Sequence, residues 1–216
     1  MEARVATVAD LVERARALAA RPERAILGIA GAPGAGKSVL SRALLDALGP
    51  DAVLVGMDGF HLADAELARL GRADRKGAPD TFDVAGYVAL LRRIRAADEV
   101  VYAPEFDRSL EAAIAGSVRV DPDVPLVITE GNYLLLNESG WQAVRPELAE
   151  VWFVEPPEER RKQWLVARHE RYGRDPDAAR AWALGTDQRN AELVLATADR
   201  ADDRFQIEDR SVDAAQ

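Results

Sequence analysis

The chain has 216 residues, a normal size for one α/β domain able to bury a large core, and its 48% hydrophobic and 30% charged residues are the proportions of a soluble globular protein. Its formal net charge of −9 argues against a nucleic-acid binder, which needs a basic face, but leaves room for a local basic pocket. With no cysteine and only His61 and His169, disulfides, zinc–thiolate sites, thiol catalysis and histidine metal clusters are excluded.

Along the chain, residues 7–18 have the 3.6-residue period of an amphipathic helix, which Pro22 ends. The apolar run 25–30 reads as a buried strand. It is followed by Gly31-Ala32-Pro33-Gly34-Ala35-Gly36-Lys37-Ser38 and a helical pattern over 39–48. Strand, glycine loop and helix in that order form a phosphate cradle of the type G-x-x-x-x-G-K-[ST]. Its glycines let successive N–H groups point inward, and the helix N-terminus adds partial positive charge. Gly31, Gly34, Ala35, Gly36 and the first helical residues Lys37, Ser38 and Val39 are the expected contacts of a nucleoside triphosphate. Lys37 is expected on the β- and γ-phosphates, and the Ser38 hydroxyl on Mg²⁺.

Beyond a turn at Gly49-Pro50, a second strand is expected over 52–57, ending at Asp58. Residues 61–70 look helical, 71–81 read as a loop, and Asp83 caps a helix over 84–96. Residues 100–102 and 118–120 can pair as an antiparallel hairpin around an irregular excursion. Runs 126–129 and 151–154 read as parallel strands. A charged helix is expected from 158 to 172, helical stretches at 177–184 and 187–197, and a late strand at 204–207. The expectation is one α/β domain over residues 1–216. It is a three-layer P-loop fold whose mostly parallel sheet is flanked by helices. A substrate-binding excursion is expected at about 99–120 and a helical lid at about 158–175. No run approaches bilayer length and no signal-peptide pattern occurs, so a cytoplasmic protein without membrane or nucleic-acid partners is expected.

In such a sheet the ends of strands face the ligand crevice. Asp58, Glu130 and Glu155 sit there. Asp58, followed by Gly59-Phe60-His61, is the candidate base that accepts the proton of an attacking hydroxyl. Glu130 suits a place beside Mg²⁺ or a hydrogen bond to substrate, and Glu155, before Pro156-Pro157, suits a structural role. Arg160, Arg161, Arg168, Arg171 and Arg174 crowd one segment, where most of them read as a solvated face. Arg161, Leu165, Arg168 and Tyr172 share a helix face. Arg168 is the first candidate for a clamp on the transferred phosphoryl group and Arg174 the next. Arg108 either grips substrate or pairs with Asp107 or Glu111. No N-K-x-D guanine specifier and no Leu-Ser-Gly-Gly-Gln transporter signature is present. A small-molecule kinase leads, and a nucleotide-hydrolysing regulatory protein without an acceptor is the rival reading.

Gly31 to Ser38, Met57-Asp58-Gly59-Phe60-His61, Lys76 to Asp83, Pro104 to Arg108 and Thr129-Glu130-Gly131-Asn132-Tyr133 occur in that order. Together they resemble the phosphoribulokinase, uridine kinase and bacterial pantothenate kinase group of P-loop kinases. The Asp-Gly-Phe-His and Glu-Gly-Asn-Tyr-Leu-Leu versions most resemble its nucleoside/nucleotide kinase-like, or fructose-transport-system kinase-like, branch. The resemblance implies MgATP as donor, a hydroxyl acceptor, Asp58 as base, and Glu130 near substrate or metal. It also implies that Arg168 and Arg174 are lid arginines and that Asn190 lies near the nucleotide. His61, Asn132 and Tyr133, within these motifs, are expected at the acceptor. Phe60, Tyr102 and Tyr133 are expected to line one flat pocket if the acceptor carries a base. Glu105-Phe106-Asp107-Arg108 departs from the uridine kinase pattern, and pantothenate kinases of this type are longer. A sugar, nucleoside or pantothenate-like acceptor is therefore expected, and a homodimer is compatible with the reading.

Overall fold

The computed structural model describes residues 3–171, 173 and 175–208. The described residues form eight strands: β1 (Arg4–Ala6), β2 (Ala25–Ala30), β3 (Ala52–Leu54), β4 (Val101–Asp107), β5 (Ala112–Val120), β6 (Leu126–Gly131), β7 (Glu150–Val154) and β8 (Asp203–Ile207). The helices are α1 (Val8–Ala19), α2 (Lys37–Leu48), α3 (Asp64–Arg69), α4 (Val84–Ala96), α5 (Glu158–Arg171), α6 (Pro176–Leu184) and α7 (Thr186–Leu195).

All six residues of β2 are buried, which is why the run 25–30 shows no polar alternation. β2 is central in a parallel six-stranded sheet of order β1-β8-β7-β2-β6-β3. Its side chains divide between two layers. Leu27 and Ile29, with Leu126 and Ile128, pack under Leu11, Leu18, Leu40 and Leu44 of α1 and α2. Ile26 and Ala30, with Val127, Val151 and Phe153, pack under Tyr87, Leu91 and Ile94 of α4 and Val194 of α7. The two covered faces make the three-layer α/β fold expected from the alternating pattern.

Local chemistry sets the helix starts. Thr7 accepts from the Asp10 N–H while the Asp10 carboxylate accepts from the Thr7 N–H, a reciprocal cap worth about 1 kcal/mol. Asp83 caps α4 through the Gly86 N–H at 2.9 Å, as expected.

Several boundaries differ from expectation. The strand at 52–57 stops at Leu54, and residues 57–60 form a 3₁₀ turn that lifts Asp58 off the sheet. The helix expected over 61–70 spans only Asp64–Arg69, because His61 makes an antiparallel bridge to Phe82 instead. Residues 101–120 are more regular than expected. Pairing runs from Val101↔Val120 to Asp107↔Ala112, with one shift between Ala103 and Glu105. β1 was not anticipated. It is three residues long and is held by parallel pairing with β8 across the whole chain. Among the described residues no helix is long and apolar enough to cross a membrane.

Candidate active site

The loop after β2 wraps into α2 through Gly36, whose φ of 91° is left-handed and whose side chain offers no cap. The first N–H groups of α2 therefore have no side-chain acceptor and stand open, the arrangement that binds phosphate at a helix start. Gly34 is left-handed as well, at φ +79°, and its missing Cβ lets α5 lie directly on the loop. A methyl there would stand 2.9 Å from the Arg161 carbonyl oxygen and 3.0 Å from Leu165 Cβ.

Lys37 Nζ donates to the carbonyls of Gly31 and Ala32 at 2.9 and 3.1 Å and to Asn132 Oδ1 at 2.7 Å. Burial pushes its pKa down to about 8. Glu130 and Asp58 oppose the shift, whereas Arg168 and Arg108 add to it. Cations that repel one another in one cavity leave a place for a polyphosphate, which would relieve the repulsion.

Glu130, on β6, accepts from Ser38 Oγ at 3.0 Å and from Ser41 Oγ at 3.2 Å. Burial raises its pKa, against the pull of Lys37. The next residue, Gly131, is a close approach. A Cβ there would come within 2.6 Å of Met57 Cβ and Sδ, so glycine lets the turn carrying Asp58 sit against the end of β6. The same turn is held from below. Thr129 Oγ1 donates to the Val55 carbonyl at 2.6 Å and so must accept from Tyr87 Oη, also at 2.6 Å. Among the described residues no group of three histidine or acidic side chains could hold a metal unaided. The Ser38 hydroxyl and Glu130 carboxylate fit Mg²⁺ only as part of a set completed by phosphate oxygens and water.

A cavity of about 630 Å³ joins these parts. Pro33, Lys37, Ser38, Glu130, Asn132, Arg168 and Asn190 line it together with Asp58, His61, Lys76, Phe82, Phe106 and Arg108. Arg108 Nη2 lies 3.5 Å from Asp58 Oδ2, so the candidate base is one of its partners. Asp107 caps the hairpin turn through the N–H groups of Ser109 and Leu110. His61 packs 4.1 Å from the Phe82 ring and 4.8 Å from the Phe106 ring, centroid to centroid. Its Nδ1 lies 2.8 Å from the Asp58 carbonyl, which can only accept, so Nδ1 carries the proton. Burial lowers its pKa, so the ring is neutral and Nε2 is left as an acceptor.

Three expected acceptor residues do not line this cavity. Tyr102 is 55% exposed, because alternation along β4 buries Val101 and Ala103 and turns Tyr102 outward. Phe60 packs on Tyr87 at 5.0 Å. Tyr133 is buried beside Phe82 and Trp141, with its hydroxyl donating to the Gly77 carbonyl at 2.5 Å. No flat pocket forms from Phe60, Tyr102 and Tyr133, and the aromatic wall is His61, Phe82 and Phe106 instead. Gly31, Gly34, Ala35, Gly36 and Val39 occupy the loop and the first turn of α2, as expected. Glu155 pairs with Arg204 at 2.7 Å, the structural role expected of it. Arg174 lies outside the described residues.

Sequence reasoning missed Arg161. It is 1% exposed, donating to the Pro33 carbonyl at 2.9 Å, to Glu158, and to Gln188 at 2.6 Å. Its spacing of four from Leu165 was the available signal. His169, Trp182 and Asp187 also line the cavity, and nothing local in the sequence marks them.

A phosphate cradle at the central strand, facing a carboxylate on the neighbouring turn, defines a P-loop phosphotransferase fold. No family model matches the chain. A solved structure named “putative fructose transport system kinase” from Silicibacter sp. TM1040 is 38% identical. It superposes with a TM-score of 0.83, covering 93% of this chain and 98% of that one. “ATP-dependent kinase-like protein notR'” of Aspergillus versicolor is 37% identical over 149 residues, 64% of this chain and 87% of its own. “Putative uridine kinase C227.14” of Schizosaccharomyces pombe is 35% identical over 147 residues, and the chain spans 63% of its length. Several bacterial pantothenate kinases also match, with the chain spanning less than half of each. The chain belongs to the P-loop kinase family that includes proteins named uridine, pantothenate and fructose-transport-system kinases.

Proposed function

We propose that this kinase transfers the γ-phosphoryl group of MgATP to a hydroxyl of a small hydroxylated metabolite held between Asp58, His61 and Phe106. The chain is a small-molecule kinase of this family, and relatives named as kinases give the acceptor-free regulatory reading no support. The observation that carries the proposal is the shared cavity, which Lys37, Ser38 and Asp58 all line.

In this reading the N–H groups of residues 34–39 and the Lys37 ammonium hold the phosphates. Ser38 and Glu130 hold Mg²⁺, which supplies charge neutralisation when bound. Asp58 accepts the proton of the acceptor hydroxyl as the new O–P bond forms. The bond between the γ-phosphorus and the β,γ-bridging oxygen breaks, and ADP leaves with that electron pair. Arg168 stabilises the equatorial oxygens and Asn190 contacts the nucleotide. Arg108 orients Asp58, and His61 Nε2 accepts a hydrogen bond from a second hydroxyl or N–H of the acceptor. The hairpin at 101–120 then serves as the acceptor-binding excursion and the segment at 158–175 as the lid of one kinase domain.

A panel of sugars, polyols, nucleosides and pantothenate, scored for ADP release, tests the proposal. At least one acceptor should stimulate ADP release well above the rate without acceptor. ATP hydrolysis unmoved by every acceptor would favour the regulatory reading.

A further inference from the structure

Helix α5 brings two neighbouring side chains, Arg168 and His169, to the lining of the cavity. Arg168 lines the cavity and stands near enough to Lys37 to disfavour its charge. His169 turns to α7, where its Nε2 meets Asp187 Oδ2 at 2.6 Å, with the two side chains 16% and 14% exposed. A carboxylate accepts, so Nε2 is the donor. Asp187 lies in the first turn of α7, where the helix dipole favours a negative charge.

A second tie joins the same helices. Eight residues earlier, Arg161 donates to Gln188 Oε1 at 2.6 Å and to the Pro33 carbonyl of the phosphate loop at 2.9 Å. Eight residues of helix rise about 12 Å, just over two turns. A helix fastened at one point can still roll or swing about that point, whereas one fastened twice on the same neighbour cannot. The Arg161 tie fixes the base of α5 against the loop, and the His169 tie holds the turn from which Arg168 projects.

We infer that His169 and Asp187 are a positioning pair that aims Arg168 at the transferred phosphoryl group. The inference rests on the reading of Arg168 as the phosphoryl clamp. Misplacing a charged donor by about an ångström costs up to about 100-fold in rate, so a partly loosened helix turn should cost measurably without abolishing turnover.

The test is a double-mutant cycle in kcat between Asp187→Ala and Arg168→Ala, with melting temperatures measured alongside. Asp187→Ala is expected to lower kcat about 10-fold while KM for the acceptor changes less than about 2-fold. In the Arg168→Ala background the same change should lower kcat by less than about 2-fold, since no guanidinium is left to aim. His169→Gln, which keeps an N–H donor, should retain most of the rate that His169→Ala loses, so the pair stays testable if one variant folds poorly. An equal loss in both backgrounds would overturn the positioning role while leaving the clamp reading intact. An unchanged kcat in Arg168→Ala alone would overturn the clamp reading and the role of the pair with it.

Discussion

Ser38 Oγ donates to Glu130 Oε1 at 3.0 Å, joining the first turn of α2 to the adjacent strand β6. Ser41 Oγ holds the other carboxylate oxygen at 3.2 Å, and burial raises the pKa of the group. Such a carboxylate protonates at a higher pH than an ordinary one, so metal affinity should weaken on mild acidification and metal binding should release a proton. Glu130→Gln keeps an acceptor for Ser38 but removes the charge. Its Mg²⁺ requirement, titrated at saturating ATP, should rise about 10- to 100-fold. An unchanged Mg²⁺ dependence would place Glu130 outside the metal site.

Asp58→Asn should lower kcat by about 100- to 10,000-fold, the usual contribution of a positioned base, with ATP affinity kept within about 2-fold. Lys37 is held by the carbonyls of Gly31 and Ala32 and by Asn132, so losing the base leaves those hydrogen bonds in place. Single-turnover phosphoryl transfer and nucleotide titration measure the two effects. Normal turnover by the variant would remove Asp58 as base.

Lys37 binds phosphate only while it is charged, and burial brings its pKa from 10.5 to about 8. In the free enzyme, kcat/KM for ATP should fall as pH rises through about 8. The limb in kcat should lie higher, because a bound polyphosphate favours the charged form. Lys37→Arg should move the kcat/KM limb upward, since guanidinium stays charged. The stability sign follows from the same lowered value. Unfolded, the group holds its proton up to about 10.5, so its favourable contribution exists above that pH and is lost as pH falls through about 8. MgATP should therefore raise the melting temperature more at pH 7 than at pH 9.5. A kcat/KM profile flat to pH 10 would contradict the shift.

Gly34→Ala places a methyl 2.9 Å from the Arg161 carbonyl in a backbone conformation with φ +79°. The left-handed backbone alone costs about 1–2 kcal/mol for a residue with a Cβ. The clash adds to this by pushing α5 off the loop. Thermal unfolding should show a lowered midpoint, and nucleotide titration a weakened ATP affinity. Retention of both would mean that α5 does not rest on the loop in solution.

The phosphate cradle was legible in residues 31–38 because backbone groups contiguous in the chain bind phosphate, and a local pattern of glycines is enough to expose them. Asp58 and Glu130 were legible for a related reason, since ends of parallel strands meet at one edge of the sheet whatever the details of packing. The alternation of apolar runs likewise carried the layering of the sheet, though strand β1 was too short to leave a period.

Long-range packing decided the rest. Tyr102 and Phe106 lie four residues apart on one strand. The register shift between Ala103 and Glu105 and the seat of the hairpin against the 57–60 turn set which ring meets the cavity, and no local pattern encodes either. Arg161 reads like its charged neighbours until Pro33 and Gln188, far off in the chain, close around it. His169 finds Asp187 only because α6 packs on both α5 and α7 and so brings the start of α7 to the end of α5. A hydrogen bond across 18 residues depends on where two helices come to rest, and that is settled by burial of their apolar faces, to which neither polar partner contributes.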